Sequence, residues 1–182
     1  MKWIVAIAAL LTAAPIIPQT IGFQHNEAAI VRLYCQRIDG AAWGTAFKIT
    51  ATQYITAHHV VENGTCFVAG QQVLIHTLDK KHDYASFDGP RSDAVLAPSC
   101  DGFTTGNRYI ARGYAGGRPY NVISPQTAFP MRIGGFQTFT GEEIQQGMSG
   151  GPVMDAKGRV AGIVNMRWPN RSMPLSSTGL CK

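Results

Sequence analysis

From residue 29 onward, short stretches of alternating or β-branched residues recur between turn-forming segments. They are AIVRLYC (29–35), TAFKI (45–49), QYIT (53–56), QVLIHTL (72–78), NRYIARGY (107–114), MRI (131–133), FQTFT (136–140) and RVAGIV (159–164). In the first of these a strand would turn Val31, Leu33 and Cys35 to one face and Arg32 and Tyr34 to the other. Strands of this length and spacing predict an all-β sandwich or barrel. No long amphipathic helix is visible beyond the first 20 residues, and there are no low-complexity tracts or clear repeats. The segment APSCDGFTTGN (97–107) is polar, contains glycine and lacks periodicity. It predicts a connection between two halves, one at about 28–97 and one at about 107–182.

Composition narrows the picture. The chain has 182 residues, 45% apolar and 15% charged, with 20 Gly and 10 Pro, which suits one turn-rich globular domain or two small joined halves. Its start, MKWIVAIAALLTAAPIIPQT, has Lys2, an apolar run from Trp3 to Leu11 and then Thr12, Ala13 and Ala14. This predicts a cleaved secretory signal over 1–20 and a secreted or periplasmic protein. An uncleaved anchor is the alternative, and membrane attachment is expected only in that case; Pro15 and Pro18 interrupt a run already short of the roughly 20 residues a span needs. Cys35, Cys66, Cys100 and Cys181 fit two disulfides with three possible connectivities. No metal is expected, because no Cys-x-x-Cys spacing occurs. The net charge of +5 comes from dispersed Lys and Arg, so no nucleic-acid partner is expected.

The strongest chemical signal is GMSGGP at 147–152. Glycines around a serine let the chain turn sharply and let backbone N–H groups converge on one point, as stabilising an oxyanion requires. Gly147-x-Ser149-x-Gly151 also satisfies the nucleophile-elbow pattern, but that fold supplies its histidine after the serine. Here His25, His58, His59, His76 and His82 all precede it. Histidine, then acid, then serine is the chymotrypsin order, and ordered motifs follow it: GTAF (44–47), ITAHHVV (55–61), HDYA (82–85), IQQGMSGGP (144–152) and GIV (162–164).

Over about residues 28–168 this set resembles the trypsin-like serine peptidases, nearest in style to bacterial HtrA-like protease domains and small viral ones. The resemblance implies a chymotrypsin-like fold of two six-stranded-type antiparallel β-barrels packed together. The C-terminus is shortened, so that PLSSTGLCK (174–182) must supply the last strand. It implies Ser149 as nucleophile, His59 as general base and Asp83 as the acid that orients it, with Asp93 as runner-up and Asp79 and Asp88 as turn or surface residues. His58 would line the entrance or be solvated. The Gly147 and Ser149 N–H groups would form the oxyanion hole, and Glu143, Ile144, Asn165, Met166 and Arg167 are candidates for the first substrate pocket. An extended substrate would pair with the strand near Ile163–Met166.

Residue 148 is methionine, where relatives activated by a freshly cut N-terminus carry aspartate. That activation route is therefore not expected. Family precedent for a disulfide near the histidine implies Cys35–Cys66, leaving Cys100–Cys181. The expected activity is exported serine endopeptidase, on peptide or protein substrates and without metal or organic cofactor. A catalytically silent binding module and an esterase of the same fold are the alternatives, and the oligomeric state is open.

Overall fold

A computed structural model describes residues 26–104, 106–123, 131–133, 136–138, 144–168, 171–176 and 180–181. The signal segment at 1–20 lies outside them. A 3-10 turn at Glu27–Ala29 leads into β1 (Ile30–Arg37) and β2 (Gly40–Lys48). Next come β3 (Gln53–Thr56), the one-turn helix α1 (His58–Val61), β4 (Gly64–Val68), β5 (Gln71–Gln72), β6 (Leu74–Asp79) and β7 (Tyr84–Asp88). These form a seven-stranded sheet in the order β5-β4-β1-β2-β3-β7-β6. After an irregular stretch, β8 (Ile110–Ala115), β9 (Arg118–Ile123), β12 (Pro152–Met154), β13 (Val160–Trp168) and β14 (Arg171–Ser176) make a second sheet, ordered β14-β13-β12-β8-β9. A separate hairpin joins β10 (Met131–Ile133) to β11 (Phe136–Thr138). All named strand pairs are antiparallel, as the chymotrypsin-like all-β fold requires.

Among the described residues, three apolar clusters hold this arrangement. Leu33, Tyr54 and Phe87 pack inside the first sheet, and Tyr109, Met148 and Val153 inside the second. A third cluster joins the two, with Phe47 and Ile55 of the first sheet against Ile110, Met154 and Ile163 of the second. The cleft between the sheets is therefore built on a shared, close-packed base.

The structure differs from the sequence expectation at several strands. QVLIHTL is not one strand: Val73 is buried and its N–H donates to the Cys66 carbonyl at 2.9 Å. β5 and β6, on either side of that break, lie at opposite edges of the sheet. β7 and β12 lack the alternation that marks a half-buried strand because their interiors are buried throughout, as in Ala85-Ser86-Phe87 and Pro152-Val153-Met154. Among the described residues the last strand is β14, which begins three residues before Pro174 and stops at Ser176.

Both disulfides join the pairs implied by family precedent, Cys35–Cys66 and Cys100–Cys181. The first links directly opposed residues of β1 and β4; the second ties the connection between sheets to the C-terminal end. Its sequence separation is 81, against 31 for the first. Closing the longer loop restricts the unfolded chain by about 4 to 5 kcal/mol in the chain-entropy account, roughly 1 kcal/mol more than the shorter one. Cys100→Ser with Cys181→Ser is expected to lower the urea midpoint more than Cys35→Ser with Cys66→Ser, as equilibrium unfolding would measure.

Candidate active site

β3 ends at Thr56, and Ala57 is still extended before a single helical turn begins at His58. Neighbouring side chains on a helix point about 100° apart, and the two histidines part accordingly. His58 turns inward and is 7% exposed. It neither lines the entrance nor is solvated, a correction to the expectation. His59 faces outward, its side chain 43% exposed.

Asp83 sits just before β7 with φ +48, a left-handed conformation that aspartate tolerates better than most residues. That turn aims its carboxylate at His59. The His59 backbone N–H donates to Asp83 Oδ1 at 2.8 Å, and ring Nδ1 to Oδ2 at 2.7 Å. Two bonds to one carboxylate fix the ring's position. A proton on Nδ1 leaves Nε2 as the acceptor.

The rival carboxylates are engaged elsewhere. Asp79 accepts from the His82 ring at 2.6 Å and its N–H at 3.1 Å, and the ring bond chiefly holds its carboxyl below the usual range. Asp88 meets the His76 ring at 2.8 Å. Asp93 is exposed, and its charge acts on the Lys48 ammonium.

The serine loop is tied down through several of its polar backbone groups. Met148 N–H donates to Gln145 O at 3.1 Å and Gly151 N–H to Met148 O at 2.9 Å. Gly150 N–H donates to Val164 O at 2.6 Å, and Thr45 N–H to Ser149 O at 2.8 Å. Gly150 has φ +85, and a Cβ there would stand 2.2 Å from the Thr45 carbonyl oxygen, so the tight approach of the two sheets needs glycine. Among the described residues, neither the Gly147 N–H nor the Ser149 N–H has an acceptor.

Two residues at the site carried no signal strong enough to read from sequence. Arg37 donates from Nη2 to the carbonyls of His59 and Val60, the latter at 3.0 Å, and so holds α1 from outside. Thr45, fully buried, donates from Oγ1 to the Gly147 carbonyl at 2.8 Å and accepts the Tyr114 N–H at 2.9 Å. A hydroxyl inside the apolar GTAF strand was its one trace. Thr45→Val removes the donor and leaves two buried backbone groups without partners, at about 1 to 3 kcal/mol each. It is expected to lower both the melting temperature and kcat, because Gly147 loses its anchor. Parallel thermal melts and kinetics would check this.

His59, Ser149, Gly147 and Gly44 line one cleft of about 720 Å³. Of the candidate pocket residues, Glu143 lies outside the described residues. Ile144 is 3% exposed in the second sheet's core, and Asn165 is 2% exposed; neither lines the cleft. Asn165 Nδ2 is buried without a partner among the described residues. Met166 and Arg167 belong to β13, but their side chains lie outside the described structure. Ile163 is flanked by Pro152 and Leu175, and both polar groups of Val164 are taken by Gly150 and Gly151. Strand addition at Ile163–Val164 is thus blocked, leaving β13 from Asn165 onward. No cluster of three or more metal-ligating side chains occurs among the described residues.

Met148, next to the serine, is fully buried and accepts the Gln145 N–H on its sulfur at 3.4 Å. An incoming ammonium would find no carboxylate at that position.

No family model and no curated protein matches the sequence. Solved structures do. The Rv3671c protease of M. tuberculosis in its active form is 20% identical, covering 94% of this chain and 89% of its own, with a TM-score of 0.71. The HtrA-type protease AlgW, solved with a tripeptide, is 21% identical over 84% of this chain, TM-score 0.72. A serine endoprotease from Yersinia pestis is 17% identical over 90%, TM-score 0.75. This chain spans 57% of the AlgW chain and 65% of the Yersinia one. The chain has the trypsin-like serine peptidase fold.

Proposed function

We propose that this chain is an exported serine endopeptidase. His59 Nε2 takes the proton from Ser149 Oγ as that oxygen attacks the peptide carbonyl, and the Gly147 and Ser149 N–H groups hold the developing oxyanion. His59 returns the proton to the leaving amine. Water then enters, is deprotonated in turn, and releases the acyl group from Ser149. Asp83 keeps the Nδ1–H tautomer throughout and stabilises the imidazolium as it forms. The acyl part of the substrate lies extended beside β13 from Asn165 onward, by strand addition. Glu143, Met166 and Arg167 are the candidates for its first side-chain pocket.

The single observation that carries this reading is the His59–Asp83 pair, bonded at 2.7 Å through the ring and 2.8 Å through the backbone, with His59 lining the cleft that also holds Ser149. Export rests on the N-terminal pattern and on two disulfides, which persist in oxidising compartments. Digestion of a diverse peptide library by protein lacking residues 1–20, read by mass spectrometry beside its Ser149→Ala variant, tests the reading. Cuts made by the parent alone are expected. Cuts by neither would favour the silent module, and turnover of small esters without any peptide would favour the esterase.

A further inference from the structure

β1 presents Arg32 and Tyr34 outward, and Tyr34 stands opposite Trp43 of β2 and Phe67 of β4. The rings form a cross-strand row, with centroids 4.4 Å apart for Tyr34–Trp43 and 6.1 Å for Tyr34–Phe67. Arg32, diagonal to Trp43, lays its guanidinium over that ring at 3.8 Å from the centroid. On another side lies the turn between β8 and β9, Gly116-Gly117, with φ +54 and +82. Two such glycines suit the tightest hairpin turn. A Cβ on Gly117 would come 3.1 Å from Arg32 Cζ and Nη1, so any side chain at this position would crowd the guanidinium.

Arg32 is thus braced, yet among the described residues its donors are unused. Arg37 is spent on carbonyls, Arg112 on Glu27 and Arg159 on Asp101 and Asp155. Arg32 donates to no acceptor among the described residues, and it is exposed. Together with Trp43 it walls the cleft that holds His59 and Ser149, and also an adjoining hollow of about 490 Å³ backed by Tyr34 and Phe67. No Asp or Glu lines either hollow among the described residues.

We propose that Arg32, braced on Trp43, is a specificity determinant that binds a carboxylate of the substrate on the leaving-group side of the cut. The inference rests on the peptidase reading of the cleft. With the acyl part beside β13, the leaving part departs past His59, along Gly44 and Trp43 of β2, toward Arg32. A guanidinium offers paired donors that match a carboxylate, and bracing reduces the side-chain freedom lost on binding. Aspartate or glutamate side chains and a free C-terminus share this chemistry.

The test measures binding apart from cleavage. Ser149→Ala protein is titrated with fluorescent decapeptides carrying Glu or Gln at one position in turn, each as amide and as free acid. A Glu form is expected to bind about tenfold more tightly than its Gln twin at one or two adjacent positions. That ratio should fall toward one in Arg32→Gln and at about 0.5 M salt, while Arg32→Lys keeps part of it. A preference confined to free acids would assign the site to a chain terminus and still support the inference. Equal binding of Glu and Gln forms and of acids and amides, or a preference that survives Arg32→Gln, overturns it. Arg32-dependent binding without cleavage by the parent would sustain the carboxylate site and defeat the peptidase reading; cleavage without the preference would do the reverse.

Discussion

Replacing Ser149 by alanine is expected to lower turnover of a cleavable peptide about a millionfold while leaving the fold and substrate binding intact. The loss is large because base, orienting acid and nucleophile act as a unit. Without Oγ, the proton that His59 accepts and the bond that forms to the acyl carbon both disappear. The fold should survive, because the loop is held by main-chain groups: the Ser149 carbonyl receives Thr45 N–H, and Gly150 and Gly151 N–H have their own acceptors. Single-turnover kinetics give the ratio, and circular dichroism checks that the variant is folded. A loss of only a few fold would mean that Ser149 is not the nucleophile.

Asp83→Asn should reduce kcat by about 10⁴ with little change in KM. An asparagine that turns its NH₂ toward Nδ1 favours the tautomer with the proton on Nε2, and that nitrogen then cannot accept from serine. The carboxylate here also accepts the His59 N–H, at 2.8 Å. Asp83→Ala should therefore cost stability as well as rate, since it frees α1 from its tether. Comparing kcat, KM and melting temperature for the two variants separates the electronic role from the positional one.

How much of this was legible in the sequence depends on the range of the interaction. The pairing of His59, rather than His58, with Asp83 was legible through the ordered motifs ITAHHVV and HDYA, although burial of His58 was not foreseen. Asp83 was legible as part of HDYA, whereas its left-handed backbone, which aims the carboxylate, leaves no trace in composition. The all-β architecture followed from recurrent short strands. β7 and β12 did not, since strands covered on both faces lose the alternation that identifies a half-buried one. Arg37 and Thr45 act across long sequence separations: Thr45 reaches Gly147 over 102 positions. Ile144 was expected at the pocket wall, but the second sheet buries it beside Met148.

The central claim is that the His59–Asp83 pair activates Ser149. Its most direct test is labelling of the folded protein with a serine-reactive fluorophosphonate, located by tandem mass spectrometry and repeated on Ser149→Ala and His59→Ala. The account predicts one adduct, on Ser149, absent from the first variant and formed far more slowly in the second. An unlabelled Ser149 in folded protein, or labelling that His59→Ala leaves unchanged, would contradict it.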